Sequence, residues 1–193
     1  MSRHAGSLPP AYFEERYARD PDPWRFATSV YEADKYEATL AALPSPHYGS
    51  ALEVGCSIGV LTRALAERCG RLLALDVAEA ALGQARERCR DRPEVTFRRA
   101  QVPAEWPAGR FDLVLLSEVV YYLRADDVAR LADHVRESLE PGGVALLVHW
   151  TGETDYPLTG DEAAELFMAR TADFLRLTRH AATEQYRLDL LTR

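Results

Sequence analysis

The sequence predicts an α/β fold: a doubly wound, mostly parallel sheet with helices on both faces and an antiparallel hairpin at its C-terminal end. Three observations predict it. From Ala51 to Trp150, short apolar runs alternate with stretches whose apolar residues recur at helical spacing. The apolar runs end in polar or acidic residues, as strands do where a parallel sheet meets its ligand. The last two runs are separated by only a few residues, too few for a crossover, so they must pair antiparallel. A chain of 193 residues with 47% hydrophobic content suits one compact domain with a sizeable core.

Residues 1–10 read as a frayed tail. From Ala11 to Leu43 the chain reads as helical pieces broken at Asp20-Pro21-Asp22-Pro23, and it is rich in aromatics: Tyr12, Phe13, Tyr17, Trp24, Phe26, Tyr31 and Tyr36. Residues 1–43 are therefore expected to form a helical cap or lid, with residues 44–193 as the main domain. Strand Ala51–Val54 leads to helix Val60–Cys69, where Leu61, Ala64, Leu65 and Cys69 share a face. Strand Arg71–Leu75, helix Ala78–Cys89 and strand Val95–Arg98 follow, and then the buried-strand run Phe111–Leu116. Helix Asp126–Leu139 is expected to stop at Glu140-Pro141-Gly142-Gly143, read as a terminating turn. Strand Val144–Trp150 and the polar loop Thr151–Gly160 come next. Asp161-Glu162 suit the first turn of a last helix, and Arg176–Ala182 with Gln185–Thr192 form the closing hairpin.

Composition narrows the function. The formal net charge of −7 argues against nucleic acid as the main partner. No window approaches the ~18 apolar residues of a membrane span, and no apolar core of a signal peptide precedes Tyr17. Cys56, Cys69 and Cys89 lack metal-ligand spacing and read as reduced thiols of a cytoplasmic protein. No metal is expected.

The chemistry concentrates at Glu53-Val54-Gly55-Cys56-Ser57-Ile58-Gly59, a turn between a strand and a helix. It spells Gly-x-Ser-x-Gly, the pattern of a hydrolase nucleophile elbow. However, only about 50 residues precede it, too few for the earlier strands of that fold, and no His-Gly-Gly segment stands upstream. The spacing also departs from the G-x-G-x-x-G of nicotinamide enzymes, and Glu53 would repel a pyrophosphate. The better reading is a cradle for a phosphate-free nucleoside cofactor. Asp76 ends the next strand, 21 residues after Gly55, where a carboxylate can take both hydrogen bonds of a ribose diol.

Four segments together resemble the motif series of class I S-adenosylmethionine-dependent methyltransferases, which have a Rossmann-like fold. They are Glu53–Gly59, Leu73–Asp76, Phe111–Val114 running into Ser117-Glu118, and Leu139–Gly143. The match covers roughly Leu40 to Arg193, with Ser57 in place of the usual middle glycine and Gln101 in place of a usual acidic residue. Asp22-Pro23-Trp24, Ser29-x-Tyr31-Glu32-x-x-Lys35-Tyr36 and Ser117–Leu123 further resemble the NodS-type methyltransferases, which N-methylate an amine of a deacetylated chitooligosaccharide. The resemblance implies S-adenosyl-L-methionine as cofactor and S-adenosyl-L-homocysteine as product. By position, Gly55, Cys56 and Gly59 line the methionine part and Glu53 orients the turn. Asp76 takes the ribose, Val77, Gln101 and Val102 flank the adenine, and Ser117 closes the pocket near the sulfonium.

Methyl transfer from a sulfonium is an in-line displacement, so positioning dominates; good orientation is worth ~7–11 kcal/mol. An amine acceptor must be neutral to attack. Glu118 is the first candidate for holding that amine, and His149 for removing its proton, since imidazole titrates near neutrality. Tyr121, Tyr122, Trp24, Tyr31 and Lys35 are candidate acceptor contacts. The expected function is N-methylation of a small molecule such as an amino sugar, by a monomer or homodimer. The alternatives are a small-molecule O-methyltransferase, a nicotinamide oxidoreductase and a non-catalytic nucleoside-binding protein.

Overall fold

The computed structural model describes residues 3–193. Its seven strands follow the order β3-β2-β1-β4-β5-β7-β6, a mixed sheet that is parallel except at its C-terminal hairpin. The chain falls into two compact units, Pro9–Gln101 and residues 3–8 with Val102–Arg193.

In the first unit, helix α1 spans Pro10–Arg19 and helix α2 spans Val30–Ala42. Proline begins α1, where its missing N–H costs nothing. The Asp20–Pro23 stretch separates the two helices as expected. The Asp22 carboxylate there accepts the Phe26 and Ala27 amides at 2.8 and 2.9 Å. Ser29 caps α2 by accepting the Glu32 amide. Strands β1 (Ala51–Val54), β2 (Leu72–Asp76) and β3 (Val95–Arg99) pair in parallel. Between them lie α3 (Val60–Ala66) and α4 (Glu79–Arg88). Helix α3 ends a turn earlier than its apolar spacing suggests. Gly59 begins it with φ +78°, and a Cβ there would lie 2.9 Å from both Cα and Cβ of Ala85 on α4. This glycine therefore serves both a left-handed backbone and a close helix–helix approach.

In the second unit, β4 (Phe111–Ser117) runs parallel to β5 (Leu139–Trp150). Helix α5 (Ala125–Ser138) connects them. Helix α6 (Gly160–Thr171) begins with a complete capping box between Thr159 and Glu162. The hairpin β6 (Arg176–Ala182) and β7 (Tyr186–Thr192) pairs antiparallel, and β7 pairs antiparallel with β5. A buried apolar core built from β4, β5, α5 and β7 includes Leu113, Leu115, Leu131, Val135, Leu146 and Leu190.

Two expectations are corrected. Glu140–Gly143 is not a free turn after α5: strand β5 begins at Leu139, and these residues form a bulge within it. Phe111 pairs with Leu139 and Leu113 with Val144, so extra residues loop out on the β5 side. The Gly142 amide then bonds the Arg193 carbonyl and the Arg193 amide bonds Gly143. Glycine's turn signal is real, but the ladder closes around it. Nor is the N-terminal tail frayed over its described part; residues 1–2 lie outside the described residues. The His4 and Leu8 amides bond the Asp155 and Tyr122 carbonyls at 2.9 Å, and Leu8 is buried.

Candidate active site

The cofactor-side residues of the first unit lie around the turn after β1. The Gly55 and Cys56 amides both bond the Leu75 carbonyl, and Gly55 takes φ +84°. That clamp leaves the turn facing the end of β2, where the half-buried Asp76 stands. One Asp76 oxygen accepts the Ser57 amide at 2.9 Å and the other accepts the Ala78 amide at 2.9 Å. Burial raises the pKa of this carboxyl, and the backbone amides of Ala78, Ser57 and Val77 pull it back. A carboxylate fixed by two backbone bonds keeps lone pairs for a vicinal diol. This is the observation by which the cradle fits a ribose-bearing cofactor.

Glu53 is buried at the end of β1, and burial first, then the charge of Asp76, pushes its pKa up to about 7. The Thr62 hydroxyl tempers that shift, yet neither Glu53 Oε2 nor Thr62 Oγ1 reaches hydrogen-bond geometry with a partner. Cys56 is buried and its thiol is pushed up by burial, which makes it inert rather than nucleophilic. Val77 is half-buried and its carbonyl accepts Arg99 Nε at 3.0 Å, whereas Gln101 is exposed.

The N-terminal helix reaches this turn. Tyr17 Oη lies 2.5 Å from Ser57 Oγ, and burial beside the Asp76 charge holds the phenol neutral. The Ser57 hydroxyl thus meets a tyrosine, not a histidine. Trp24 packs edge-on against Tyr17 and stacks on Phe26, with ring centroids 5.6 Å apart in each pair. Tyr31 and Lys35 belong to a different group on α2. Buried Lys35 Nζ meets Glu32 at 3.0 Å and lies 5.0 Å from the Tyr31 ring centroid.

In the second unit Ser117-Glu118 and His149 stand at the ends of β4 and β5, and Tyr121 and Tyr122 lie in the turn after Glu118. Val102 is half-buried and Ser117 is buried at the tip of β4. Glu118 follows in the left-handed region, φ +54°, which a non-glycine residue enters only when its surroundings hold it there. The Glu118 amide bonds the Val148 carbonyl at 2.8 Å. Its Oε2 accepts the Trp150 amide at 2.9 Å and the Tyr121 hydroxyl. His149 is fully buried, and its Nε2 accepts the Val120 amide at 3.2 Å. That bond places the ring proton on Nδ1 and makes His149 a neutral support for the turn carrying Tyr121.

Sequence reasoning missed Tyr156. It lies in the polar loop after β5, with ring centroids 5.2 Å from Tyr121 and 4.7 Å from Tyr122. The loop is held by bonds from Leu158 to the Tyr121 carbonyl and from His4 to the Asp155 carbonyl. A single tyrosine in a polar stretch has no periodic signal that could have revealed it. Among the described residues no cluster of His, Cys, Asp or Glu suits a metal ion, and no helix is long and apolar enough to cross a membrane.

Known proteins share this sequence pattern and fold. A family model described as Nodulation protein S (NodS) matches residues 13–140. Nodulation protein S of Sinorhizobium fredii is 34% identical over 124 residues, covering 63% of this chain and 57% of that protein. The chain spans a little over half the length of the curated nodulation proteins it matches. A Pseudomonas syringae protein named provisionally as a methyltransferase is 36% identical, with a TM-score of 0.76 over 86% of this chain and 100% of that one. The N-methyltransferase NodS of Bradyrhizobium japonicum WM9, solved with S-adenosyl-L-homocysteine, shares the fold. It has a TM-score of 0.82 at 23% identity, over 95% of this chain and 98% of that one.

Proposed function

This chain belongs to the NodS family, and from that premise we propose that it is an S-adenosylmethionine-dependent methyltransferase acting on the amine of a small molecule such as an amino sugar. The observation that carries the acceptor class is Glu118, a carboxylate held at the tip of β4 at the cost of a left-handed backbone. A carboxylate attracts an ammonium group by charge and can take its proton.

The cofactor supplies a methyl group already activated on sulfonium sulfur. Asp76 would hold the ribose hydroxyls, with Gly55, Cys56 and Gly59 forming the cradle for the methionine portion and Glu53 supporting the turn. Val77, Gln101 and Val102 would flank the adenine, and Ser117 would border the sulfonium. Glu118 would orient the acceptor amine. His149, which accepts a backbone amide through Nε2, better serves to position the Tyr121 turn than to act as the base. Tyr121 and Tyr122 would contact the acceptor. The helical segment up to residue 43 would act as a lid over the cradle, an idea supported by the contact of Tyr17 with Ser57. Trp24, Tyr31 and Lys35 would then shape its inner side. The net charge of −7 supports a small-molecule acceptor over nucleic acid; the buried free thiols Cys56, Cys69 and Cys89 support a cytoplasmic location, and the protein is taken as a monomer or homodimer.

The test is methyl transfer from isotopically labelled cofactor onto a panel of free amino sugars, simple amines and the corresponding hydroxyl compounds, read by mass. Gain of one methyl on the amines supports the proposal. Gain only on hydroxyls, or none on any acceptor while S-adenosylhomocysteine binds, overturns it.

A further inference from the structure

The second unit holds more hydroxyls beside Glu118 than substrate contact requires. Tyr121 donates its hydroxyl to Glu118 Oε2. Tyr122 shares side-chain hydrogen bonds with both Tyr121 and Tyr156. The three rings form one cluster, with centroids 4.6 Å apart for Tyr121–Tyr122, 4.7 Å for Tyr122–Tyr156 and 5.2 Å for Tyr121–Tyr156. Tyr121 is buried, whereas Tyr122 and Tyr156 are half-buried. Hydroxyls thus link a fixed carboxylate to two half-buried rings.

We propose that Tyr121, Tyr122 and Tyr156 form a proton relay that carries the acceptor's proton from Glu118 to water. The proposal rests on amine methylation as the reaction. The acceptor ammonium breaks one N–H bond and the Glu118 carboxylate gains the proton, leaving the nitrogen lone pair free to attack. The protonated carboxyl then gives its proton to the Tyr121 oxygen as Tyr121 passes its own to Tyr122, Tyr122 to Tyr156, and Tyr156 to a solvent water. Each tyrosine takes one proton as it releases one, so all three end neutral and the carboxylate is restored. Neutral carriers fit the site, because burial holds the Tyr121 and Tyr122 phenols well above the ordinary tyrosine range. Titratable groups facing the relay include His149, edge-on to Tyr121 and held by the Val120 amide, and Asp155 in the loop carrying Tyr156, which pairs with His4 of the N-terminal segment; helix α6, which carries Asp161, Glu162 and Glu165, packs against the Tyr121–Tyr122 turn.

The test replaces Tyr122 and Tyr156 singly by phenylalanine, which keeps the ring packing and deletes the hydroxyl. Wild type and variants are assayed with S-adenosylmethionine and glucosamine across the neutral pH range. The relay predicts a fall in kcat of roughly tenfold or more in each variant, with KM little changed and the acid limb of the pH profile moved upward. A purely structural role is met by phenylalanine, so unchanged kcat and pH profile would overturn the relay. A second measurement stands apart from turnover: 13C NMR titration of the Glu118 side-chain carboxyl. Tyr122→Phe weakens the donation from Tyr121 to Glu118 and should raise the pKa of that carboxyl. An unmoved titration also overturns the relay. A wild type that methylates no amine overturns the functional reading and the relay with it, whereas amine methylation whose kcat and pH profile survive both substitutions overturns the relay alone.

Discussion

Asp76→Asn separates the two tasks assigned to the β2 carboxylate. In the native turn one oxygen accepts the Ser57 amide and the other the Ala78 amide, each at 2.9 Å. Asparagine has one carbonyl oxygen, so one of these amides must face an NH2 group. Leaving such a donor unsatisfied costs about 1–3 kcal/mol. Against this, burial raises the Asp76 pKa, so its ionised form weakens the fold, and the neutral amide removes that penalty. The net loss of stability should be about 1–2 kcal/mol, a fall in Tm of roughly 2–8 °C for a chain of this length. Cofactor affinity should suffer far more. Hydrogen bonds to a charged group contribute about 1.5–3 kcal/mol each, and a diol makes two of them. Titration calorimetry with S-adenosylhomocysteine should show weakening by roughly 100-fold or more. The thermal scan of the unliganded protein reads the turn alone, and the calorimetry reads both tasks. A dissociation constant within about threefold of wild type would refute the ribose assignment, whatever the Tm.

Glu53 makes stability depend on pH. Its folded pKa of about 7 lies above the ~4.3 of an unfolded glutamate, so the native state holds the proton more tightly. Below the unfolded value both states are protonated. As pH rises toward 7 the unfolded chain ionises alone and stability falls, by about 4 kcal/mol in all; above 7 both states are ionised and the slope ends. Denaturant melts from pH 4 to 8 should show this decline, and Glu53→Gln should flatten it; a slope that survives the substitution contradicts the assignment. Gly59→Ala should destabilise by about 2–4 kcal/mol, combining a left-handed non-glycine residue with overpacking of a Cβ placed 2.9 Å from Ala85. Chemical denaturation checks it, and adding Ala85→Gly should recover part of the loss; an undiminished midpoint would mean that the two helices separate freely.

What was legible in the sequence is what local pattern encodes. The alternation of apolar runs placed β1 to β4 within a residue or so, and the short gap after Ala182 implied the antiparallel hairpin. The acidic pair Asp161-Glu162 marked the first turn of α6, because negative charge favours a helix start within a single turn. Features set by distant partners were hidden. Glu140–Gly143 reads as a turn in isolation and becomes a bulge because β4 pairs with β5 on both sides of it, with Arg193 bonding Gly142 and Gly143. Residues 3–8 read as a tail, since the Tyr122 and Asp155 carbonyls that hold them lie more than a hundred positions away. In the candidate site, Asp76 and Glu118 were legible as strand-end carboxylates. The engaged Nε2 of His149, the contact of Tyr17 with Ser57 and the place of Tyr156 each depend on a partner that no periodicity announces.

The backbone at Glu118 has a consequence for anyone redesigning this chain. Its φ of +54° suits glycine, and a glycine there would release about 1 kcal/mol of conformational strain. The same change strips the Trp150 amide and the Tyr121 hydroxyl of their shared acceptor. Main chain and side chain thus make opposite demands at one position. A design procedure that scores backbone geometry alone would favour the substitution that abolishes the proposed chemistry. Fitness for folding and fitness for reaction diverge at this residue, and position 118 should be held fixed in any thermostabilised variant.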